Sequence, residues 1–341
     1  MVDLSGCLRL NETMDGRILV IRGGAIGDFI LTLPAIRLVR DAFPRAALEI
    51  LGYKHIVSLA EGRFYAQATR SIEYAPMARF FVPGAELDAE LSAYFSGFQQ
   101  IISYLSDPQG YFAANLSRTG AKQVLHAYST LDASAHAAVQ LARPLEKLAL
   151  YLEHPAAEVF PNAHDHAAAA GLLSRMGGPF IALHPGSGSE RKNWMPERWA
   201  EVVEGLLEKY PHLRLLLIGG EADERPLAAV LARVGARAEV VRHLALPHLA
   251  AVLHRCQLFL GHDTGIAHLA GASGAPCLLL FGPTDPAVWA PRNALVQVLE
   301  APCGDFARLS VERVLAHAIH ILSWRTAGEE GDSFPGRPGR G

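Results

Sequence analysis

From about residue 17 to residue 325, short apolar runs alternate with longer stretches in which apolar residues recur every three or four positions. Arg17–Arg22 (Arg-Ile-Leu-Val-Ile-Arg) reads as a buried strand, Gly23-Gly24 as the turn after it, and 27–43 as a helix. Further strands are expected at 48–51 and 100–103. Around 154–168, Pro155, Pro161 and a run rich in His and Ala suggest a linker, and the alternation then restarts. Strands are expected at 180–183, 213–218, 239–241, 258–260 and 276–281, with helices at 196–210, 226–234, 247–255 and 265–272. Alternation of this kind predicts an α/β protein with parallel sheets covered by helices on both faces. Two such halves predict two Rossmann-like domains facing a cleft, at 17–160 and 170–325. Residues 1–16 and the Gly/Pro/Arg-rich 326–341 are expected to be flexible termini.

Composition narrows this picture without changing it. A chain of 341 residues suits two cores better than one, and 50% hydrophobic against 19% charged residues supplies ample buried material. A net charge of −3 excludes a global basic field for nucleic acid. The four cysteines, Cys7, Cys256, Cys277 and Cys303, have no zinc-like spacing and are expected as reduced thiols of a cytosolic protein. Leu4-Ser5-Gly6-Cys7 matches a lipoprotein box, but no cationic start or apolar run precedes it. The longest apolar runs are strand-sized. The expectation is a soluble, cytoplasmic monomer, at most peripheral at the inner face of the cytoplasmic membrane.

In parallel sheets ligands bind beyond the carboxyl ends of the strands, which directs attention to the loops after Ile21, Leu183, Ile218, Leu260 and Phe281. In the first, Gly23-Gly24-Ala25-Ile26-Gly27-Asp28, the spacing is not that of a dinucleotide fingerprint. Asp28 reads locally as a helix N-cap, with a catalytic carboxylate as the alternative. The second, His184-Pro185-Gly186-Ser187-Gly188, leads to Arg191-Lys192-Asn193-Trp194. Small residues there admit phosphate oxygens, Ser187 and the amides around Gly188 can donate, and Lys192 supplies a point charge for a diphosphate. The alternative is a plain Gly-rich connection. Asp263, Thr264 and Gly265 open a helix whose positive end favours an anion, while Asp263 itself suits sugar hydroxyls. It also reads as a cap, and His268 equally as a packed helix histidine. Glu221 reads either as an acceptor for a ribose or base or as a helix-start acid. Phe281-Gly282-Pro283-Thr284-Asp285-Pro286 is expected to shape a pocket wall. No Asp-x-Asp pair occurs, so a metal-chelated diphosphate is not expected, and no GxSxG supports a serine hydrolase.

Together these segments resemble the bacterial ADP-heptose:lipopolysaccharide heptosyltransferases, glycosyltransferase family 9. The resemblance rests on Ile-Leu-Val-Ile-Arg-Gly-Gly-Ala-Ile-Gly-Asp-Phe-Ile-Leu-Thr-Leu-Pro (18–34), His-Pro-Gly-Ser-Gly-Ser-Glu-Arg-Lys-Asn-Trp (184–194), His-Asp-Thr-Gly-Ile-Ala-His-Leu-Ala (262–270) and Phe-Gly-Pro-Thr-Asp-Pro (281–286), in the family's order. It implies a GT-B fold, with the acceptor on the first domain and the nucleotide-sugar on the second. It also implies inverting, metal-independent transfer, with no cofactor beyond the donor, expected to be ADP-linked. Asp28 matches the family's base, Lys192 its diphosphate-binding lysine, Asp263, Thr264, Gly265 and His268 its donor loop, and Glu221 an acid on the nucleoside.

Residues 60–150 match no family pattern, and there Arg63, Arg118 and Lys122, with Arg70 and Arg79, are candidates for an anionic, lipid-linked glycan acceptor. Two rival readings remain on sequence: a sugar-nucleotide 2-epimerase on the same architecture, and a non-catalytic nucleotide-sugar-binding protein.

Overall fold

The computed structural model describes residues 16–220 and 223–329. They separate into two compact α/β units. The first takes the chain up to His166, with Ala245–Ala250 and Ala287–Asn293; the second holds Ala167–Leu244, Ala251–Pro286 and the chain from Ala294 onward.

In chain order the first unit contains β1 (Arg17–Arg22), α1 (Ile26–Ala42), β2 (Ala47–Gly52), the single turn α2 (Lys54–Val57), β3 (Ala68–Ser71), α3 (Ala89–Ser96), β4 (Gln100–Ser103), α4 (Tyr111–Arg118), β5 (Val124–His126) and α5 (Ala137–Ala142). Its five strands are all parallel, in the order β3-β2-β1-β4-β5. β1 lies in the middle, with Ile18, Leu19 and Ile21 fully buried, so its sequence is a continuous apolar run rather than an alternating one. Leu19, Ile21 and Ile101 from the sheet pack with Met77, Phe80, Phe95, Phe98 and Phe112 to form an aromatic core on one face.

α6 (Ala163–Met176) begins within the stretch read as a linker: its His/Ala-rich part, from 163 onward, is helical, and Asp165 lies in its first turn. The chain continues with β6 (Phe180–His184), α7 (Pro196–Lys209), β7 (Arg214–Gly219), α8 (Glu224–Val234), β8 (Ala238–Arg242), α9 (Leu246–Leu253), β9 (Leu258–His262), α10 (Gly265–Ala272), β10 (Cys277–Phe281), the short α11 (Pro286–Trp289), β11 (Val296–Glu300) and α12 (Val311–Glu329), all in the second unit except the first part of α9 and most of α11, which belong to the first. The six parallel strands run β11-β10-β9-β6-β7-β8. α12 runs past residue 325 into the stretch expected to be a loose tail; the remainder of that tail, and residues 1–15, lie outside the described residues. Among the described residues no helix is long and apolar enough to cross a membrane.

Both sheets are wound outward from the middle in two directions. Each reverses strand order beside its first strand, between β1 and β4 in one unit and between β6 and β9 in the other. Loops leaving adjacent strands diverge at such a point and leave a crevice beyond the carboxyl ends, where open α/β sheets take their ligands. The elements absent from the sequence reading sit at the margins. β3 (Ala-Thr-Arg-Ser) is a half-exposed edge strand and β5 has three residues, so neither carries a recognisable apolar run.

Candidate functional site

The loop after β1 carries Asp28 to the third position of α1, not to the N-cap. Ala25 is the N-cap and has no side chain that can cap, so Asp28 reaches back and its Oδ2 accepts the Ala25 N–H at 2.8 Å. This is the inner half of a capping box. Gly24 makes the reach possible: its φ is +92°, and a Cβ there would lie 2.7 Å from Asp28 Oδ2. Arg22, at the end of β1, points into the same corner. Its Nη2 lies 3.5 Å from Asp28 Oδ1 and donates to the Asp28 carbonyl at 3.2 Å, while Nε donates to Thr32 Oγ1 at 2.9 Å. Burial lowers the Arg22 pKa, opposed by Asp28, Tyr104 and Tyr128. Asp28 keeps 40% of its side-chain surface open, so its carboxylate is held in place yet accessible.

In the second unit the switch point between β6 and β9 assembles most of the residues expected to hold a donor. Lys192 Nζ donates to Asp263 Oδ2 at 2.8 Å, and His268 Nε2 lies 3.7 Å from Asp263 Oδ1. Burial pushes the Asp263 carboxyl up, but hydrogen bonding to His268 and Lys192 and their charges outweigh it and hold the group at about 2. Asp263 is therefore ionised at neutral pH. Thr264, rather than Asp263, caps α10, its Oγ1 accepting the Ala267 N–H at 3.2 Å. Gly265 begins the helix behind it, so the positive helix end and the Lys192 ammonium sit side by side. Ser187 closes its own turn, donating to the Ser189 carbonyl at 2.7 Å and accepting the Ser189 N–H at 3.2 Å, while Gly188 borders open space. Glu221 lies outside the described residues.

Sequence reasoning missed two buried groups that organise these loops. Asp223, after β7, is 7% exposed; its Oδ2 accepts the Gly220 N–H at 2.8 Å and lies 3.5 Å from His184 Nε2. Burial raises its pKa, and the bonds from His184 and Gly220 outweigh that and lower it. The other ring nitrogen of His184 is 3.5 Å from Thr264 Oγ1. One imidazole thus links the loops after β6, β7 and β9. His262, fully buried at the end of β9, accepts at Nε2 from the Trp194 backbone N–H (2.8 Å) and from Trp199 Nε1–H (3.2 Å). Burial, with the nearby His184, pushes its pKa down to about 3, so it is a neutral acceptor that anchors the segment carrying Lys192. The acidic run Glu221-Ala222-Asp223-Glu224 offered no signal separating the buried member from the others.

The arginines proposed for an acceptor are engaged by partners within the first unit. Arg118 ends α4 and Lys122 precedes β5, so both lie toward the amino-terminal end of the sheet, while Arg63 lies in the long connection between α2 and β3. In a parallel unit each helix returns the chain to that end, opposite the loop that carries Asp28. Arg63 is also fully engaged. Its Nε and Nη2 donate to Asp165 at 2.8 and 2.6 Å, and its Nη1 to the Ser58 and Glu61 carbonyls at 2.8 and 2.6 Å. Arg118 Nη1 binds the Ala85 carbonyl and Asn115 Oδ1, both at 2.8 Å, and Arg70 pairs with Glu90 at 2.7 Å. These arginines hold structure. Among the described residues one trio, His164, Asp165 and His248, brings metal-ligand atoms within 4.8 Å of one another. The Asp165 oxygens in it are already taken by Arg63 and the Asn162 N–H.

Residues 107–317 match the model of glycosyltransferase family 9 (heptosyltransferase). Lipopolysaccharide heptosyltransferase 1 of Escherichia coli K12 is 26% identical over 327 residues, covering 88% of this chain and 98% of that protein. The Pseudomonas aeruginosa protein of the same name is 26% identical over 290 residues, 79% of each chain. Among solved structures, a family 9 glycosyltransferase from Veillonella parvula superposes with a TM-score of 0.75 at 20% identity, covering 91% of this chain and 97% of that one. The E. coli heptosyltransferase WaaC with ADP gives 0.68 at 19%, covering 89% and 99%. The fold is that of the GT-B heptosyltransferases.

Proposed function

The chain belongs to glycosyltransferase family 9, and on that premise we propose that it transfers heptose from ADP-heptose to a lipopolysaccharide-type acceptor, with inversion and without a metal ion. Family membership makes it a glycosyltransferase and sets aside the epimerase and the non-catalytic binder. The observation that carries the finer reading is the grouping of Lys192, Asp263, Thr264, Gly265 and His268 at one switch point. It combines a cation and a helix N-terminus for a diphosphate with an ionised carboxylate for sugar hydroxyls. Relatives named lipopolysaccharide heptosyltransferase 1, matched over nearly their whole length, support heptose and lipopolysaccharide as the substrates.

In this mechanism Asp28 takes the proton of an acceptor hydroxyl as that oxygen bonds to the anomeric carbon from the face opposite the nucleotide. The bond from the anomeric carbon to the diphosphate oxygen breaks, and ADP leaves with the electron pair. Lys192 and the amino-terminal end of α10 stabilise the charge that builds on the departing diphosphate, the role a metal ion would otherwise fill. Ser187, Gly188 and Glu221 are the further donor-binding residues of this reading. A lipid-linked acceptor places the reaction at the inner face of the cytoplasmic membrane, with the protein bound there peripherally as a monomer.

A thermal-shift and calorimetric screen of ADP-heptose against other ADP-, UDP- and GDP-sugars tests the donor. Stabilisation by ADP-heptose is expected. Stabilisation by a UDP- or GDP-sugar and by no ADP-sugar would overturn the heptosyl assignment. Release of an epimerised sugar from donor alone would overturn transfer itself.

A further inference from the structure

With the guanidinium groups of Arg63 and Arg118 engaged inside the unit, the carboxyl-terminal edge of the first sheet offers a further partner for the acceptor. Five tyrosines of this unit are exposed: Tyr53, Tyr74, Tyr111, Tyr128 and Tyr151. Four of them stand in the segments that follow β2, β3, β4 and β5, one per strand, all leaving the end of the sheet from which the Gly23–Asp28 loop emerges. Scattered single apolar residues on a surface need no explanation, but one aromatic beyond each strand around a candidate base does.

Register places two of them on either side of that loop. Arg22 pairs with Gly52, so Tyr53 is the next residue out on the β2 side. On the other side the Tyr104 N–H donates to the Ile21 carbonyl at 2.9 Å and the Ala127 N–H to the Ser103 carbonyl at 2.8 Å, so Tyr128 stands just beyond the paired ends of β4 and β5. Tyr104 is buried, whereas Tyr128 is 49% and Tyr53 37% exposed. The phenols of Tyr104 and Tyr128 are near enough to act electrostatically on the Arg22 guanidinium, which itself lies against Asp28. β1 and β5 are separated only by β4, so roughly 10 Å of sheet divides them, a distance a tyrosine and one sugar ring can span.

We propose that Tyr128 is the platform on which the acceptor's sugar ring stacks beside Asp28, with Tyr53 flanking the opposite side of the loop. A pyranose has a face made of C–H groups that is poorly solvated and packs flat against an aromatic ring. The phenol hydroxyl at the ring's edge remains free to bond a sugar hydroxyl. A half-exposed tyrosine fixed at the end of a strand provides such a surface at little cost in conformational freedom. What Tyr128 recognises is accordingly the C–H face of the ring, whatever charge the acceptor carries elsewhere. This assignment rests on the glycosyl-transfer reading above.

Kinetics of the full chain with ADP-heptose and heptose-free lipopolysaccharide test it. Tyr128→Ala is expected to raise the acceptor KM about tenfold, with the donor KM and kcat changed less than about twofold. Tyr128→Phe, which keeps the ring, should recover most of that loss. Tyr151→Ala, at a tyrosine that follows no strand of the sheet, should have no effect. An acceptor KM unmoved by Tyr128→Ala, a Phe variant as impaired as Ala, or an equal effect at Tyr151 would overturn the platform while leaving transfer intact. Absence of transfer by the wild-type chain would overturn the transfer reading and the platform together.

Discussion

The carboxylate of Asp223 occupies the space that any side chain at Gly186 would need; a Cβ built there would collide with Oδ1. Gly186 is therefore a fixed point between two loops, and His184, bonded to Asp223, extends the connection to Thr264. Gly186→Ala should push Asp223 off His184, lower the melting temperature by several degrees and weaken ADP binding about tenfold or more. Combining it with Asp223→Ala relieves the collision, so the double variant should be more stable than the two single losses predict. A thermal double-mutant cycle showing simple additivity would contradict this.

Lys192→Ala should lower the melting temperature by a few degrees, because it leaves the largely buried Asp263 carboxylate with His268 as its remaining charged partner. Its larger effect belongs to the reaction: weaker ADP binding by calorimetry and a lower kcat, each by about tenfold or more, if it meets the leaving diphosphate. Arginine should restore the charge but not the geometry, since the planar guanidinium needs more room than an ammonium. Unchanged kinetics in Lys192→Ala would remove it from the site.

At Asp28 two substitutions separate capping from catalysis. Asn keeps an oxygen that can accept the Ala25 N–H, whereas Ala removes it and should cost about 1 kcal/mol of stability. As base, Asp28 has no substitute in either variant. Both should lose about 10²-fold or more in kcat, with ADP affinity nearly intact. Wild-type turnover by Asp28→Asn would end the base assignment.

His262 gives the second unit a definite response to acid. The unfolded chain takes up a proton there near pH 6.5 and the folded protein only near 3, so between those values the unfolded state binds more protons. Stability should fall as the pH drops from about 6.5 toward 3, by a maximum on the order of 5 kcal/mol. Chemical denaturation across this range measures it. His262→Gln should flatten that part of the profile while lowering stability at pH 7, because Trp194 and Trp199 lose a well-placed acceptor.

The central strands and the motifs at their ends were legible because burial on both faces writes an unbroken apolar run, as in Ile18–Ile21 and Leu278–Leu280, and glycines mark where it stops. Edge strands such as β3 carry no such mark. Local pattern also misplaced the caps: Asp28 and Asp263 looked like N-caps, yet Ala25 and Thr264 hold those positions, and only three-dimensional reach shows which oxygen meets which N–H. Arg63 illustrates the opposite limit. Its charge invited an anionic ligand, but its partner, Asp165, is 102 residues away in the chain and could not be read from it. Tyr128 drew no notice as one tyrosine among nine, since its meaning comes from the strand it follows.

In the proposed reaction, the Lys192–Asp263 pair gives the donor diphosphate a resident electrical rival. A diphosphate arriving there must compete with a carboxylate held 2.8 Å from the same ammonium. The same competitor is waiting when the sugar has gone and ADP remains. On that reading a bare lysine would grip the spent nucleotide more firmly, and one with a resident rival would let go sooner, favouring clearance of product over its retention.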